Sequence, residues 1–441
     1  MAKGGGPTVG LDIGSQTIKV VEAVPGRDGV TVRAIGMAPT PPGAMENNVI
    51  VDPKLLGDAV KKALREAGVS TKSSVSSVSG QGALVVRVIE TPRMSDSELG
   101  DHMRWEVERH VPFAADQVIM DYQPIERPDT PPDSQNMDVL LAVAQQDMID
   151  RHVEMLFAAG LSPSAIDVEP LAASRALIEL GPDPYGERTV VVINVGASNT
   201  DLGIFRNGIL AFPRTIPYGG TNLTTAIAAA MGIGVEQAEE MKVRHGEVLL
   251  GQAAPAAVPG AEDEAFLDFS VGAPTPAEEP DRAPFDLSST EEGAQGPQFD
   301  LDEPAEAAVA PVPIPIADGD HDETTMQVFS AMAPILGDLL QDIRRSLEYY
   351  QGRTSDARVD EILLCGGSAN LKNLDQFLAA ELGIPTRMAD AFEHARVAAR
   401  NYSAEHVRQV APFFAVALGL AARDMVAVPA RAAAGRKRAK K

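Results

Sequence analysis

The sequence predicts an α/β protein built from two related lobes. Three observations carry this. Strand-like and helix-like runs alternate along most of the chain. A turn of the form polar residue–x–glycine, set between two strands, occurs at Asp12 and again at Asn194, 182 residues later. The long stretch with neither periodicity is an acidic, proline-rich tract that interrupts only the second half.

The elements follow in order. Val9–Ile13 and Thr17–Ala23 read as strands joined by a tight turn, and Val30–Ala38 as a third. Pro53–Ala67 reads as a helix with Leu55, Leu56, Ala59, Val60, Ala63 and Leu64 on one face. Strands Val75–Ser79 and Leu84–Thr91 precede a charged helix, Ser95–His110, whose Ser95 and Glu98 have capping-box spacing. Strands Val118–Pro124 and Met137–Ala144 follow, then helix Met148–Ala158, strand Ala165–Val168 and helix Leu171–Leu180. A second cycle opens with strands Thr189–Asn194, Thr200–Phe205 and Ile209–Ile216 and helices Asn222–Met231 and Val235–His245. After the acidic tract come a helix through Phe329–Tyr350, strand Glu361–Leu364, and helices Leu374–Leu382 and Phe413–Ala422.

Composition excludes several function classes. The 441 residues include 62 acidic and 38 basic side chains, a net charge of -24, which argues against general nucleic-acid affinity. One cysteine, Cys365, permits no internal disulfide. No run approaches the roughly 20 apolar residues of a membrane span, and the start MAKGGGPTVG has no hydrophobic signal core. The expectation is a cytoplasmic protein of several domains.

Between Leu250 and Thr324 there are 18 acidic residues and one basic residue, Arg282, with many prolines. Such a segment buries too little apolar surface to offset its ordering entropy, so it reads as a disordered insert. Inside it Phe285-Asp286-Leu287-Ser288 is echoed by Phe299-Asp300-Leu301-Asp302, and more loosely by Phe266-Leu267-Asp268-Phe269, apolar groups of a kind that can bind partners. Arg431–Lys441 holds six basic residues and no acidic one, a tail that could touch anionic lipid, although Ala427–Gly435 lacks a membrane-anchoring apolar face.

Three glycine turns carry the chemistry. In the first, Gly14 follows Asp12 between two strands, which excludes the phosphate loops that need a helix N-terminus. A hairpin can still aim successive N–H groups at an anion, with Asp12 holding a hydrated divalent ion and Lys19 adding charge. The second, Asn194-Val195-Gly196-Ala197-Ser198-Asn199-Thr200, repeats the pattern. In the third, strand Ile362–Leu364 runs into Gly366-Gly367-Ser368, where paired glycines let backbone lie flat against a ligand. Trp105 reads as a packing anchor beside Met103, Val107 and Val111, and Cys365 as buried packing. His102, His110 and His245 lack metal-ligand spacing, and the Ser70–Ser79 cluster has no nucleophile constellation.

These turns together resemble the nucleotide site of the actin, sugar-kinase and heat-shock-chaperone ATPase superfamily. Glu169-Pro170-Leu171-Ala172-Ala173-Ser174 and Pro412-Phe413-Phe414-Ala415-Val416-Ala417-Leu418-Gly419-Leu420-Ala421 look like its two connecting helices. Ile216-Pro217-Tyr218-Gly219-Gly220 and Lys242-Val243-Arg244-His245-Gly246 resemble the cell-division protein FtsA. Glu98-Leu99, Arg104-Trp105-Glu106, Val111-Pro112-Phe113, Asp121-Tyr122-Gln123 and Arg345-Ser346-Leu347-Glu348-Tyr349-Tyr350 resemble the PilM family of type IV pilus assembly proteins.

The resemblance implies an actin-like (ribonuclease H-like) α/β fold of two lobes with duplicated mixed five-stranded sheets closing on ATP and Mg2+. Asp12, through water, and Asn194 would flank metal and phosphates. Gly14, Ser15, Gln16, Thr17 and Lys19 would serve one side, and Gly196, Ala197, Ser198, Asn199 and Thr200 the other. Glu169 matches the position that orients an attacking water. Gly366, Gly367 and Ser368 would line the adenosine side, with Glu239 and Lys242 near ribose or base. Asn194 replaces the family's usual aspartate and brings no charge, so binding with slow turnover at most is expected.

The implied organisation is lobe 1 at 8–90 and 145–187, an inserted subdomain at 91–144, and lobe 2 at 188–249 and 325–400. The acidic insert is 250–324, a connecting helix 401–424 returns to lobe 1, and the basic tail is 425–441. The implied role is at the cytoplasmic face of the inner membrane. There the protein would bind the cytoplasmic N-terminal segment of a PilN-type membrane protein, link it to the motor ATPase and platform protein, and self-associate. Membrane contact would be indirect, and no nucleic acid is involved. The alternatives are an FtsA-like scaffold of cell division and a sugar kinase of the same superfamily. Against the kinase, no further aspartate is evident beside the two hairpins.

Overall fold

The structure is a computed structural model describing residues 6–27, 29–46, 48–79, 83–111, 115–127, 134–250, 322–353, 358–399 and 402–426. The bulk of the acidic insert, with its Phe-Asp-Leu repeats, and the basic tail from residue 427 lie outside the described residues.

Lobe 1 opens with a meander, β1 (Thr8–Ile13), β2 (Thr17–Gly26) and β3 (Gly29–Pro39). A short hairpin of β4 (Met45–Glu46) and β5 (Val49–Ile50) leads to α1 (Pro53–Ala67) and β6 (Ser73–Val78). The chain then leaves for the inserted subdomain: β7 (Leu84–Pro92), α2 (Asp96–His110), β8 (Val118–Ile125) and β9 (Asn136–Gln145). It returns through α3 (Gln146–Ala158), β10 (Ser162–Val168) and α4 (Glu169–Ser174), which continues as a π-helical turn, Arg175–Glu179.

Lobe 2 repeats the plan. The meander is β11 (Thr189–Val195), β12 (Thr200–Arg206) and β13 (Ile209–Ile216). The helices α5 (Gly220–Met231), α6 (Val235–His245) and α7 (Glu323–Arg353) come next. Strand β14 (Glu361–Cys365), α8 (Leu374–Leu382) and β15 (Thr386–Met388) finish the lobe. Strand β16 (Ala395–Val397), α9 (Ala404–Val410) and α10 (Ala415–Ala421) carry the chain back to lobe 1.

The sheets share one topology. In lobe 1 the order is β10-β6-β1-β2-β3-β16, in lobe 2 β13-β12-β11-β14-β15. In each, an antiparallel meander is extended by parallel strands on the free side of its first strand. Lobe 1 departs from the expected five strands because β16 adds in parallel to the outer edge of β3. Lobe 1 therefore resumes at residue 395 rather than 401. The subdomain sheet is β7-β9-β8, so the insertion starts at β7 rather than at residue 91. Strands of two or three residues (β4, β5, β15, β16) carry too little periodicity to be read from sequence.

The connecting helices form the junction between the sheets. Gly419 of α10 lies so close to α4 that a Cβ there would sit 1.7 Å from the Ala172 carbonyl oxygen. Gly10 of β1 is pressed equally hard by α10, its Cβ position lying 1.9 Å from the Ala417 oxygen. Small side chains here (Ala172, Ala173, Ala176, Ala417, Ala421) bring backbone against backbone in a buried cluster spanning both lobes. On α1 the buried face is Leu56, Val60, Ala63, Leu64 and Ala67, while Leu55 is 40% exposed.

Helix α2 starts as its spacing predicts: the Ser95 side chain accepts from the Glu98 N–H, and Glu98 Oε2 accepts from the Ser95 N–H at 2.9 Å. Its buried face is Leu99, Met103, Val107 and Val111, at steps of four. Trp105 is not the packing anchor expected. It stands roughly 200° around the helix from Met103, is 49% exposed and stacks on His102.

His152 of α3 is buried, with Nε2 2.8 Å from Ser76 Oγ of β6. Burial lowers its pKa from 6.5 to about 4. The native state refuses a proton that the unfolded chain accepts. Stability from this group is therefore full above pH 6.5 and is lost as pH falls toward 4. Between pH 7 and pH 5 the loss should be roughly 2 kcal/mol in urea denaturation, and His152→Gln should remove that part of the pH dependence.

Candidate functional site

The first hairpin is locked at its tip. Gly14 N–H donates to the Thr17 carbonyl at 3.0 Å, Thr40 Oγ1 donates to the Gly14 carbonyl, and Thr40 N–H to that of Gln16. Asp12 and Lys19 face each other across β1 and β2, with Oδ2 and Nζ 3.1 Å apart and both side chains largely buried. The second hairpin closes in the same way, Gly196 N–H to the Asn199 carbonyl at 2.9 Å. The α5 entry braces it, with Gly220 N–H donating to the Gly196 carbonyl and Thr221 N–H to that of Ala197. Thr200 Oγ1 donates to the Tyr218 carbonyl.

The tips meet across the cleft. Ser15 Oγ and Ser198 Oγ are 2.7 Å apart, and Asn48 Nδ2 donates to Asn199 Oδ1 at 2.6 Å. The structure thus brings both expected hairpins into one site, one from each lobe.

The third turn joins them. Gly366 has φ 95°, in the left-handed region, and a Cβ there would strike the Val195 carbonyl oxygen at 2.4 Å, so glycine is required. Ser368 Oγ donates to the Gly196 carbonyl at 2.9 Å. Lys242 Nζ donates to the Gly220 carbonyl and to Thr224 Oγ1 and pairs with Glu239 at 2.7 Å. Gly220 lies against Ser368, so Glu239, Lys242 and the glycine turn converge. Gly367 faces the Phe413 ring. Cys365 is fully buried, and its thiol pKa is pushed up by burial and by nearby carboxylates, which matches a packing role.

The sequence reading missed one acid. Asp201 of β12 stands opposite Asn194 in register, buried, accepting from Thr215 Oγ1 and Asn199 Nδ2. The pairs Asp12/Lys19 and Asn194/Asp201 are equivalent positions of the duplicated hairpin. Each hairpin therefore carries one carboxylate, on opposite strands of the turn. The signal was present, because a tight turn at Gly196–Asn199 fixes residue 201 against 194. The expectation that Asn194 leaves its side of the site without charge, and that no further aspartate stands there, is corrected accordingly.

Glu169, at the start of α4, receives Asn194 Nδ2 at 3.3 Å. Its pKa is raised well above the carboxylate range, first by burial, then by the charges of Asp201 and Asp12. Asp201 is also raised, first by burial, against hydrogen bonds from Thr215, Glu169 and Asn199. Both shifts favour the protonated form, because burial and the neighbouring negative charges disfavour two carboxylates side by side.

Oxygen-only donors suit a hard cation. Among the described residues no three carboxylates, histidines or cysteines converge closely enough to cage one. The set fits an ion that keeps most of its own water. Beside it a cavity of about 190 Å³ runs between the end of β6, β7 and β13, lined by Ser79, Val85, Val86, Asp201, Pro213 and Thr215 among others.

A family model described as type IV pilus assembly protein PilM matches residues 10–248 and 323–425. The chain belongs to this family. The match skips the acidic insert and includes every element of the cleft. A solved structure, "PilM-PilN type IV pilus biogenesis complex", superposes with a TM-score of 0.71 at 25% identity, covering 95% of this chain and 99% of that one. Curated relatives include the cell division protein FtsA of Bacillus subtilis (strain 168), 24% identical over 286 residues, 60% of this chain and 62% of that protein. FtsA of Escherichia coli (strain K12) is 26% identical over 258 residues, 54% and 60% of the two chains. The chain spans about three fifths of the length of these relatives. The two-lobed fold is the actin-like one of the PilM family. No helix among the described residues is long and apolar enough to cross a membrane.

Proposed function

We propose that this PilM-family chain binds ATP with Mg2+ in the cleft and captures the cytoplasmic N-terminal segment of a PilN-type membrane protein. The observation that supports it is the meeting of the duplicated hairpins at Ser15 and Ser198 over Asp12, Glu169 and Asp201. Backbone N–H groups of Ser15–Thr17 and Ala197–Thr200 take the phosphates, those of Gly14 and Gly196 being used within the turns. Asp12 and Asp201 hold the hydrated ion, and Lys19 balances Asp12. Gly366–Ser368, Glu239 and Lys242 serve the adenosine side. Mg2+ supplies charge neutralisation for the phosphates.

Turnover is slow, for a reason different from the one the sequence suggested. The burial and neighbouring charges that raise the Glu169 pKa favour its protonated form, which cannot accept a proton from water. ATP then acts chiefly as a ligand of the closed form. The chain works at the cytoplasmic face of the inner membrane, and contacts with motor ATPase, platform protein and further copies belong to the same reading.

The partner segment takes the cavity at Val85 and Val86, where the inserted subdomain meets both lobes and apolar side chains stand beside Asp201, Arg214 and Thr215. The likeness to a PilM-PilN complex supports such a partner. Calorimetry with the N-terminal peptide of a PilN-type protein should show binding, and Val85→Asp should weaken it at least tenfold, about 1.4 kcal/mol. Equal affinity of the variant would remove the cavity from the proposal, and no peptide binding by wild type would remove the partner.

A further inference from the structure

The inserted subdomain is covalently part of lobe 1, leaving it after β6 and returning at α3. It also holds lobe 2. Arg127, just past β8, places Nε 2.8 Å from Asp138 Oδ2 of β9 and donates from Nη2 to the Leu210 carbonyl of β13 at 3.0 Å. The Arg127 side chain is only 12% exposed. One guanidinium thus joins the subdomain sheet to the edge strand of the opposite lobe. Its planar fork meets both acceptors at once from Nε and Nη2, a reach that the single nitrogen of a lysine does not match.

The other end of the same seam is not paired. β7 and β13 are edge strands of separate sheets, and around Val85 and Pro213 the cavity lies between them. Among the described residues the lobes meet at the α4/α10 junction, where Asn194 also reaches Glu169, at the hairpin tips, along β7 and β13, and at Arg127. The junction is a pair of packed helices about which the lobes can turn. The tip contacts are two hydrogen bonds between small polar side chains. A turn of lobe 2 by more than a few tenths of an ångström at Leu210 must break the Arg127 bond or drag the subdomain along.

We propose that the inserted subdomain is a strut, and that Arg127 is the positioning residue through which it holds the two lobes closed. Lobe opening then costs a largely buried, charge-assisted hydrogen bond in addition to the tip contacts. The subdomain's position and the opening of the cleft become one movement.

The test is the inter-lobe distance in nucleotide-free, full-length protein. Spin labels on Lys62→Cys of α1 and Arg244→Cys of α6 report it, since those side chains are 66% and 71% exposed while Cys365 is buried. Arg127→Ala should broaden the distance distribution and shift it from the wild-type maximum. Arg127→Lys, which keeps the charge beside Asp138 but loses the second prong, should do the same and guards against misfolding in the alanine variant. Arg104→Ala, an exposed residue of the same subdomain, should leave the distribution unchanged. If Arg127→Lys, folded by circular dichroism, shows the wild-type distribution, the strut is overturned. A response to Arg104→Ala equal to that of Arg127→Lys would overturn it as well.

Discussion

Gly419→Val should give a protein that is destabilised by more than about 3 kcal/mol in urea or fails to fold. The first atom of the new side chain would lie 1.7 Å from the Ala172 oxygen and 2.6 Å from its carbon, and both are backbone atoms that cannot rotate away. Relief requires α10 to move off α4. α10 also packs on β1, where Gly10 already touches its backbone, so the displacement reaches the first hairpin. Gly337→Ala in α7 is the control. A Cβ there meets nothing within 4 Å, and the change should stabilise by about 0.5–1 kcal/mol. Wild-type stability of Gly419→Val would mean that the junction is not packed as described.

Asp12→Ala should abolish Mg2+-dependent nucleotide binding, lowering affinity at least tenfold, about 1.4 kcal/mol. It removes the carboxylate proposed for the hydrated ion. It also strands Lys19, a largely buried ammonium paired with the Asp12 carboxylate at 3.1 Å, at a cost of about 3–5 kcal/mol for an unpaired buried charge. The two effects separate in the double variant Asp12→Ala/Lys19→Met. There the stranded charge is gone and most stability should return, while binding stays lost. Calorimetry with ATP, with and without Mg2+, reads the first effect and urea denaturation the second. Undiminished, Mg2+-dependent binding by Asp12→Ala would sink the assignment.

The two hairpins were legible in the sequence because each is local. A polar residue, a glycine two on, and flanking strands are enough to specify a tight β-turn, and the repeat after 182 residues specifies two lobes. Asp201 was within the same reach, since hairpin register is local too, but the pattern was read along the strand rather than across the turn. Trp105 failed for a related reason. Neighbours in sequence are not neighbours in space on a helix, whose period puts Leu99, Met103 and Val107 on the face away from Trp105.

Local conformations were readable from the residues alone: the glycine turns, the capped start of α2 at Ser95, the amphipathic faces, and the order of elements that marks an actin-like protein of the PilM family. Folding alone set what depends on residues far apart in the chain. It raised the pKa values of Glu169 and Asp201 by burying them together, joined Ser15 to Ser198 and Arg127 to Leu210, and added β16 to the edge of β3. The physical reason is range. Turn, cap and periodicity are set within a few residues, whereas desolvation and the pairing of charges depend on which distant surfaces close over a group once the sheets have packed.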